Sequence, residues 1–144
     1  MVSPNLSSGH LRGWPGEEIN FTERKIDVFE DRIQGWWLRQ ASSVASEDHS
    51  GFVILAIGCV VVETIGSALL GRKSSSNPKK YILAGVKHLF PQECDAHSDF
   101  PDVFYNKVRN GLAHDLTTKR TVFIHPRSGT SFDFHSPHGK ILAV

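Results

Sequence analysis

The chain has 144 residues, 40% of them hydrophobic and 22% charged, with 16 basic against 15 acidic side chains. That length and apolar content fit one domain with a modest core and exclude a disordered polymer. The near-neutral balance excludes a global basic field of the kind that coats nucleic acid, and two cysteines, Cys59 and Cys94, exclude a disulfide framework and fit a reducing cytoplasm.

Residues 1–20 are rich in Pro, Gly, Ser and Asn, lack the apolar stretch of a signal peptide, and read as a flexible N-terminal arm. A first helix is predicted from about Thr22 to Ser43, where Ile26, Phe29, Ile33 and Trp36 or Trp37 recur at helical spacing. The outer ring of the Trp36-Trp37 pair belongs either to a dimer interface or to an ordinary amphipathic face. A second helix runs from about Asp48 to Leu70 and ends at Gly71, a residue suited to the position after a helix C-terminus. Its apolar surface covers most of its circumference, which predicts the most buried helix of the chain. The same run is just long enough to span a bilayer, but Glu63 sits in its middle, and a central charge there costs about 2.5–3.5 kcal/mol, so the reading is a core helix and no membrane. Asn77-Pro78 predicts the cap and first residue of a third helix, ending near Phe90 before Pro91, with Ile82, Val86 and Leu89 as its core stripe. Lys79-Lys80 and Arg72-Lys73 flank its N-terminal loop and read as solvated charge or as contacts for phosphates. Asp99, Pro101 and Asp102 look like the start of a fourth helix, over about Pro101 to Ala113, with Phe104, Val108 and Leu112 in line.

After Leu116 the pattern changes. Residues 121–124 and 131–134 are β-branched and aromatic and flank Pro126-Arg127-Ser128-Gly129-Thr130, which predicts a β-hairpin with a five-residue loop. Lys140 to Val144 offers a third strand. The predicted class is mainly α, with an arm over 1–20, a helical bundle over 21–118 and a C-terminal β-hairpin over 119–144.

Chemistry concentrates in Tyr105-Asn106-Lys107-Val108-Arg109-Asn110-Gly111-Leu112-Ala113-His114. Arginine is a permanent cation whose planar fork matches phosphate oxygens, and histidine exchanges protons near neutral pH. Together they suffice to cut a phosphodiester without a metal or other cofactor. The spacing alone decides nothing, because the Arg and His content predicts roughly one chance match, and Arg120 with His125 is a second pair. Context favours Arg109 and His114, which lie on an amphipathic helix, whereas His125 ends a strand-like run. Arg109 and His114 stand about 140° apart around an ideal helix, while Asn110 and His114 share a face; Gly111 is read as loosening the last turn.

Val108-Arg109-Asn110-Gly111-Leu112-Ala113-His114 resembles the motif of HEPN domains, small helical bundles found in many prokaryotic RNases and toxin systems. The family pattern is Arg, four to six residues, then His, commonly with a polar residue after the Arg, where Asn110 stands here. The resemblance extends loosely over residues 20–118. It implies a four-helix HEPN-like bundle and a metal-independent endoribonuclease acting on single-stranded RNA, with Arg109, His114 and Asn110 catalytic. It also implies a homodimer that completes the site, and a toxin–antitoxin or phage-defence setting with a protein antitoxin. Some members are inactive modules that bind RNA, a nucleotide or a protein partner. Leu116 stands where one toxin branch carries a tyrosine that its partner enzyme modifies, so the sequence departs from that branch.

Three further residues are candidates for binding, namely Tyr105, Lys107 and Glu63. Tyr105, one turn before Arg109, either stacks on a base or packs in the core. Glu63 needs a partner or access to solvent if its helix is buried; it either faces Arg109 and fixes its rotamer or points outward. The histidines show no ligand spacing with a third donor, so no metal site is predicted. Without a catalytic role, Arg109 pairs with an acid such as Asp102, Glu63 or Asp115, and His114 complements a helix C-terminus.

Overall fold

A computed structural model describes residues 1–12, 20–48, 50–71 and 77–119, with strands at 122–124, 132–135 and 140–143. The protein is mainly α-helical. Its contacts divide it into two compact units, Met1–Glu47 and Asp48–Val144.

In the first unit, α1 (Ser8–Arg12) precedes α2 (Phe21–Arg32), which passes through a π-helical segment, Ile33–Leu38, into α3 (Arg39–Val44). The start of α2 is fixed by Asn20, whose side chain accepts from the amides of Thr22 at 3.2 Å and Glu23 at 3.3 Å. Residues 2–10 make hydrogen bonds to α2. The Asp31 carboxylate accepts from the Asn5 amide at 2.8 Å and from Asn5 Nδ2 at 2.6 Å. Arg32 Nε donates to the Val2 carbonyl at 2.7 Å, and Arg24 Nη1 donates to the His10 carbonyl at 2.6 Å. The Pro4 ring occupies the space that a Cβ on Gly35 would need. Polar residues of the N-terminal stretch thus find partners along α2, which the composition of that stretch does not show. The remainder of the predicted arm, residues 13–19, lies outside the described residues.

The second unit is built on α4 (Gly51–Leu69) and α5 (Pro78–Leu89), followed by α6 (Pro91–Ala96) and α7 (Phe100–Val103). A π-helical segment, Phe104–Arg109, then leads into α8 (Asn110–Asp115). Local chemistry sets several ends. Gly71 adopts a left-handed φ of 61° after α4, and the Asn77 side chain accepts from the Lys80 amide at 3.2 Å with Pro78 at the first position of α5. Asp99 makes no side-chain cap; its backbone carbonyl accepts from the Val103 amide at 2.9 Å instead.

Helices α4 and α5 cross at two glycines. A Cβ on Gly66 would run into the Tyr81 carbonyl oxygen, and one on Gly85 into the Val62 carbonyl oxygen. Each helix therefore offers a bare backbone position to the other helix's backbone. Around this crossing Cys59 and Val62 of α4, Ile82 and Val86 of α5, and Phe100, Phe104 and Val108 form one buried cluster. The Phe100 ring meets Phe90 edge-on, with centroids 6.2 Å apart and planes at 78°, a favoured aromatic geometry.

The expectation that α4 is the most buried helix is not met. Its buried residues are Cys59, Val61, Val62 and Gly66, while Phe52, Val53 and Val60 are 42%, 53% and 40% exposed. The shorter α5 buries Tyr81, Ile82, Gly85 and Val86. Hydrophobicity around a helix does not say how many neighbours surround it. By length and composition, α4 is the one helix among the described residues apolar enough to cross a membrane.

The strands correct the hairpin. β1 (Val122–Ile124) pairs in parallel with β3 (Lys140–Ala143), and β2 (Phe132–His135) pairs antiparallel with β3. The order is β1-β3-β2, so Val122–Ile124 and Phe132–His135 are not neighbours and the predicted hairpin between them does not form. The apolar β3 takes the centre, where both of its edges are paired.

Candidate functional site

The stretch that carries Arg109 and His114 is one continuous helical run with a wide turn inside it. Phe100, Phe104, Val108 and Leu112 repeat every fourth residue. On an α-helix a strict four-residue step drifts by about 40° per turn. The π-helical turn between Phe104 and Arg109, closed by the Asn110 amide donating to the Tyr105 carbonyl, takes up that drift. Phe104 and Val108 both stay fully buried as a result. Such turns are rare in helices and are often found at functional sites.

Arg109 leaves this segment toward α4. Its Nη2 lies 3.6 Å from Glu63 Oε2, and its Nη1 donates to Asn110 Oδ1 at 3.3 Å. The two charged side chains are only 24% and 23% exposed, so water screens the pair less than it would a surface ion pair. Glu63 is accordingly a partnered carboxylate, and its place in an apolar helix follows from the guanidinium beside it. Asp102, another acid considered for Arg109, pairs with Lys79 at 2.6 Å.

Cys59 lies one turn before Glu63 on α4. Burial pushes its thiol up to about 12, the Arg109 cation opposes the shift, and Glu63 adds to it. The thiol therefore stays protonated at neutral pH and is no nucleophile. Burial also raises the Cys94 thiol.

His114 sits in the last turn of α8, exposed to solvent. After Asp115 the chain reverses at Leu116, which adopts a left-handed φ of 55°, a conformation that costs a branched residue about 1–2 kcal/mol. The returning segment passes directly over Gly111. A Cβ there would lie 2.5 Å from the Thr117 carbonyl oxygen and 3.0 Å from the Lys119 amide nitrogen. That amide donates to the Lys107 carbonyl at 3.0 Å. Gly111 thus permits a close backbone approach and does not loosen the helix, which continues to Asp115.

Compared with protein-family models, curated proteins and solved structures, the chain matches none.

The structure brings Arg109, Asn110 and Glu63 into one contact network. It places His114 on the same helical run but on a solvent-facing surface. Lys107 is half-buried, two residues before Arg109. Tyr105 packs against the core cluster, with Lys79 Nζ 5.8 Å from its ring centroid, so its face is already occupied. The backbone contact of Lys119 with Lys107, which depends on the reversal at Leu116, was not expected from the sequence. The one local signal for it was Gly111, a glycine in an otherwise well-formed helix, which marks a close neighbour as readily as a weak turn. The second pair, Arg120 and His125, lies outside the described residues.

Proposed function

We propose that the protein is a metal-independent endoribonuclease of HEPN type, with a four-helix HEPN-like bundle as its framework. The observation that carries the reading is the Arg109 guanidinium held between Glu63 and Asn110 at the end of a π-helical segment, with the exposed His114 following in α8. A guanidinium tied on one side keeps donors for a phosphate on the other, because it has five N–H groups. In this reading His114 takes the proton from a ribose 2′-hydroxyl, or gives one to the departing 5′-oxygen. Arg109 binds the phosphate and offsets the charge that builds on its oxygens. Asn110 and Glu63 position Arg109. The 2′-oxygen forms a bond to phosphorus as the 5′-oxygen bond breaks, leaving a 2′,3′-cyclic phosphate and a 5′-hydroxyl. DNA lacks the attacking hydroxyl and survives.

The resemblance supplies the rest of the proposal. A homodimer sets two copies of the motif around one groove in the cytoplasm, in a toxin–antitoxin or defence setting with a protein antitoxin as partner. The second reading, an inactive HEPN-like module that binds RNA, a nucleotide or a protein, is favoured by the exposed apolar residues Phe52, Val53 and Val60 on α4.

The test is cleavage of a labelled mixed-sequence RNA in excess EDTA by wild type, Arg109→Ala and His114→Ala. Wild type is expected to cut and leave cyclic phosphate ends, with each variant slower by about 10²–10⁴-fold. Equal cutting by all three proteins, or none by folded wild type, removes the enzyme reading.

A further inference from the structure

We propose that the exposed face of α4 is the surface on which a second copy of this chain docks, with the two α4 helices antiparallel. The inference deepens the homodimer of the ribonuclease reading by naming its face, but its grounds lie in α4 and its neighbour α5. Every exposed residue of α4 is apolar, namely Phe52, Val53, Ala56, Val60, Ala68 and Leu69. A helix at the edge of a globular fold ordinarily turns charged and polar side chains to water, and the exposed positions of α4 carry none. Phe52, Val53, Ala56 and Val60 fall within about 100° of one another around an ideal helix, so they form one stripe. A contiguous apolar stripe open to water marks an interaction surface. Glu63, eleven residues after Phe52, lies about 20° from it around the same helix. Its carboxylate is matched by Arg109 at 3.6 Å, so the stripe runs up to the candidate site without presenting an uncompensated charge.

The neighbours and the charges of α4 select the occupant. Helix α5 crosses α4 backbone against backbone at Gly66 and Gly85, and it carries exposed Lys79, Lys80, Lys87 and His88. Its 12 residues extend about 18 Å, short of the roughly 30 Å of a bilayer core, so it cannot accompany α4 across one. Helices that lie in a membrane surface carry Lys and Arg along their polar side, and α4 has no basic residue. A protein face is left, and the charges around α4 fit its own copy. Asp48 precedes the helix in sequence, and Arg72 and Lys73 follow it. A two-fold axis that pairs two α4 helices antiparallel sets the acidic end of each toward the basic end of the other. Between those ends the uncharged stripe meets its like without repulsion, and the helix dipoles oppose each other favourably.

The experiment measures the oligomeric state of the full chain by light scattering on a sizing column over a range of concentrations. Wild type is compared with Val60→Glu and Phe52→Glu, which put a carboxylate on the stripe, and with Phe21→Glu, the same kind of change at an exposed position of α2. Each is checked for folding by its helical signal. Phe52→Glu places its acid in the first turn of α4, where a helix accepts one, so a folded stripe variant remains if Val60→Glu does not fold. Wild type and Phe21→Glu are expected to be dimers. The stripe variants are expected to dimerise about 10²-fold more weakly, because a carboxylate buried at the seam has no partner. Asp48→Lys is expected to weaken the dimer several-fold, and Arg72→Glu with Lys73→Glu in the same chain to restore it. A wild type that stays monomeric, or that floats with phosphatidylcholine–phosphatidylserine vesicles instead of dimerising, overturns the inference, as does a dimer that the folded stripe variants keep. A dimer indifferent to Asp48→Lys overturns the antiparallel arrangement. Cleavage of ordinary RNA by wild type and Arg109→Ala runs in parallel. Arg109-dependent cutting by a monomeric wild type overturns the docking face and leaves the enzyme reading. A dimer that the stripe variants break but that does not cut keeps the face and removes the ribonuclease reading.

Discussion

The two units carry the same unusual device in different surroundings. Each contains a π-helical segment inside a longer helical run, Ile33–Leu38 in one and Phe104–Arg109 in the other. In Asp48–Val144 the wide turn is clamped by an apolar core, with Phe104 and Val108 fully buried. In Met1–Glu47 only Gly35 is buried within the segment, and Trp36, Trp37 and Leu38 remain substantially exposed. That unit is held largely by hydrogen bonds and ion contacts between residues 2–10 and α2. A wide turn in a packed core has one geometry open to it, whereas one braced by surface polar contacts stays sensitive to pH and salt.

Matched substitutions of glycine by alanine break this comparison most directly. Gly85→Ala drives a methyl into the Val62 carbonyl of a packed helix, and neither backbone can retreat without opening the core. A loss of about 3 kcal/mol or more is expected in urea unfolding followed by circular dichroism, and Gly66→Ala should behave alike. A loss under 1 kcal/mol for both would mean that the crossing is looser than described. Gly111→Ala comes next, with about 1–3 kcal/mol lost, because the returning segment can lift away. Its hallmark is faster hydrogen exchange at the Lys119 amide, and unaltered protection there would remove the contact to Lys107.

Gly35→Ala should matter less. Its methyl meets the ring of Pro4, in a segment that can move, and alanine restores about 1 kcal/mol of helix propensity. A net change within about 1 kcal/mol is expected, and a loss equal to that of Gly85→Ala would erase the contrast between the units.

The smallest effect concerns Asp31. Its carboxyl is held below its ordinary value of 3.8 first by the Ser3 hydroxyl, which is buried without a well-aligned hydrogen bond, and next by the Asn5 amide. A depressed folded pKa contributes stability above the unfolded value and loses it as pH falls through the folded value. Acid titration should therefore release residues 1–6 below about pH 4, a step that Asp31→Asn removes. A step of equal size in Asp31→Asn would assign the effect to another group.

Much of the local structure was legible because short-range chemistry fixes it. Asn77-Pro78 starts a helix since an amide oxygen can cap the orphan N–H groups and proline lacks one. Gly71 ends one since it tolerates a left-handed φ. Leu89, placed on the core stripe by its spacing, is 39% exposed, because α5 ends there and the chain turns at Pro91 into a helix that was not expected. Glu63 was legible as a residue in need of a partner, and several acids were equally available to Arg109 from sequence alone. The π-helical turns left a trace, the strict four-residue step, which is easily taken for an ordinary amphipathic stripe.

By itself the sequence determined that the protein is mainly helical, where several helices start and stop, and which short stretch brings an arginine, an asparagine and a histidine within six residues. Those follow from propensity, capping and residue type, which act within a few positions. Tertiary structure alone decided that Gly66 and Gly85 form the crossing, that Arg109 turns to Glu63 and leaves Asp102 to Lys79, that β3 separates β1 from β2, and that Lys119 returns to Lys107. Each joins residues far apart in the chain. Which of many compatible partners meet depends on how the backbones pack, and no local pattern encodes that choice.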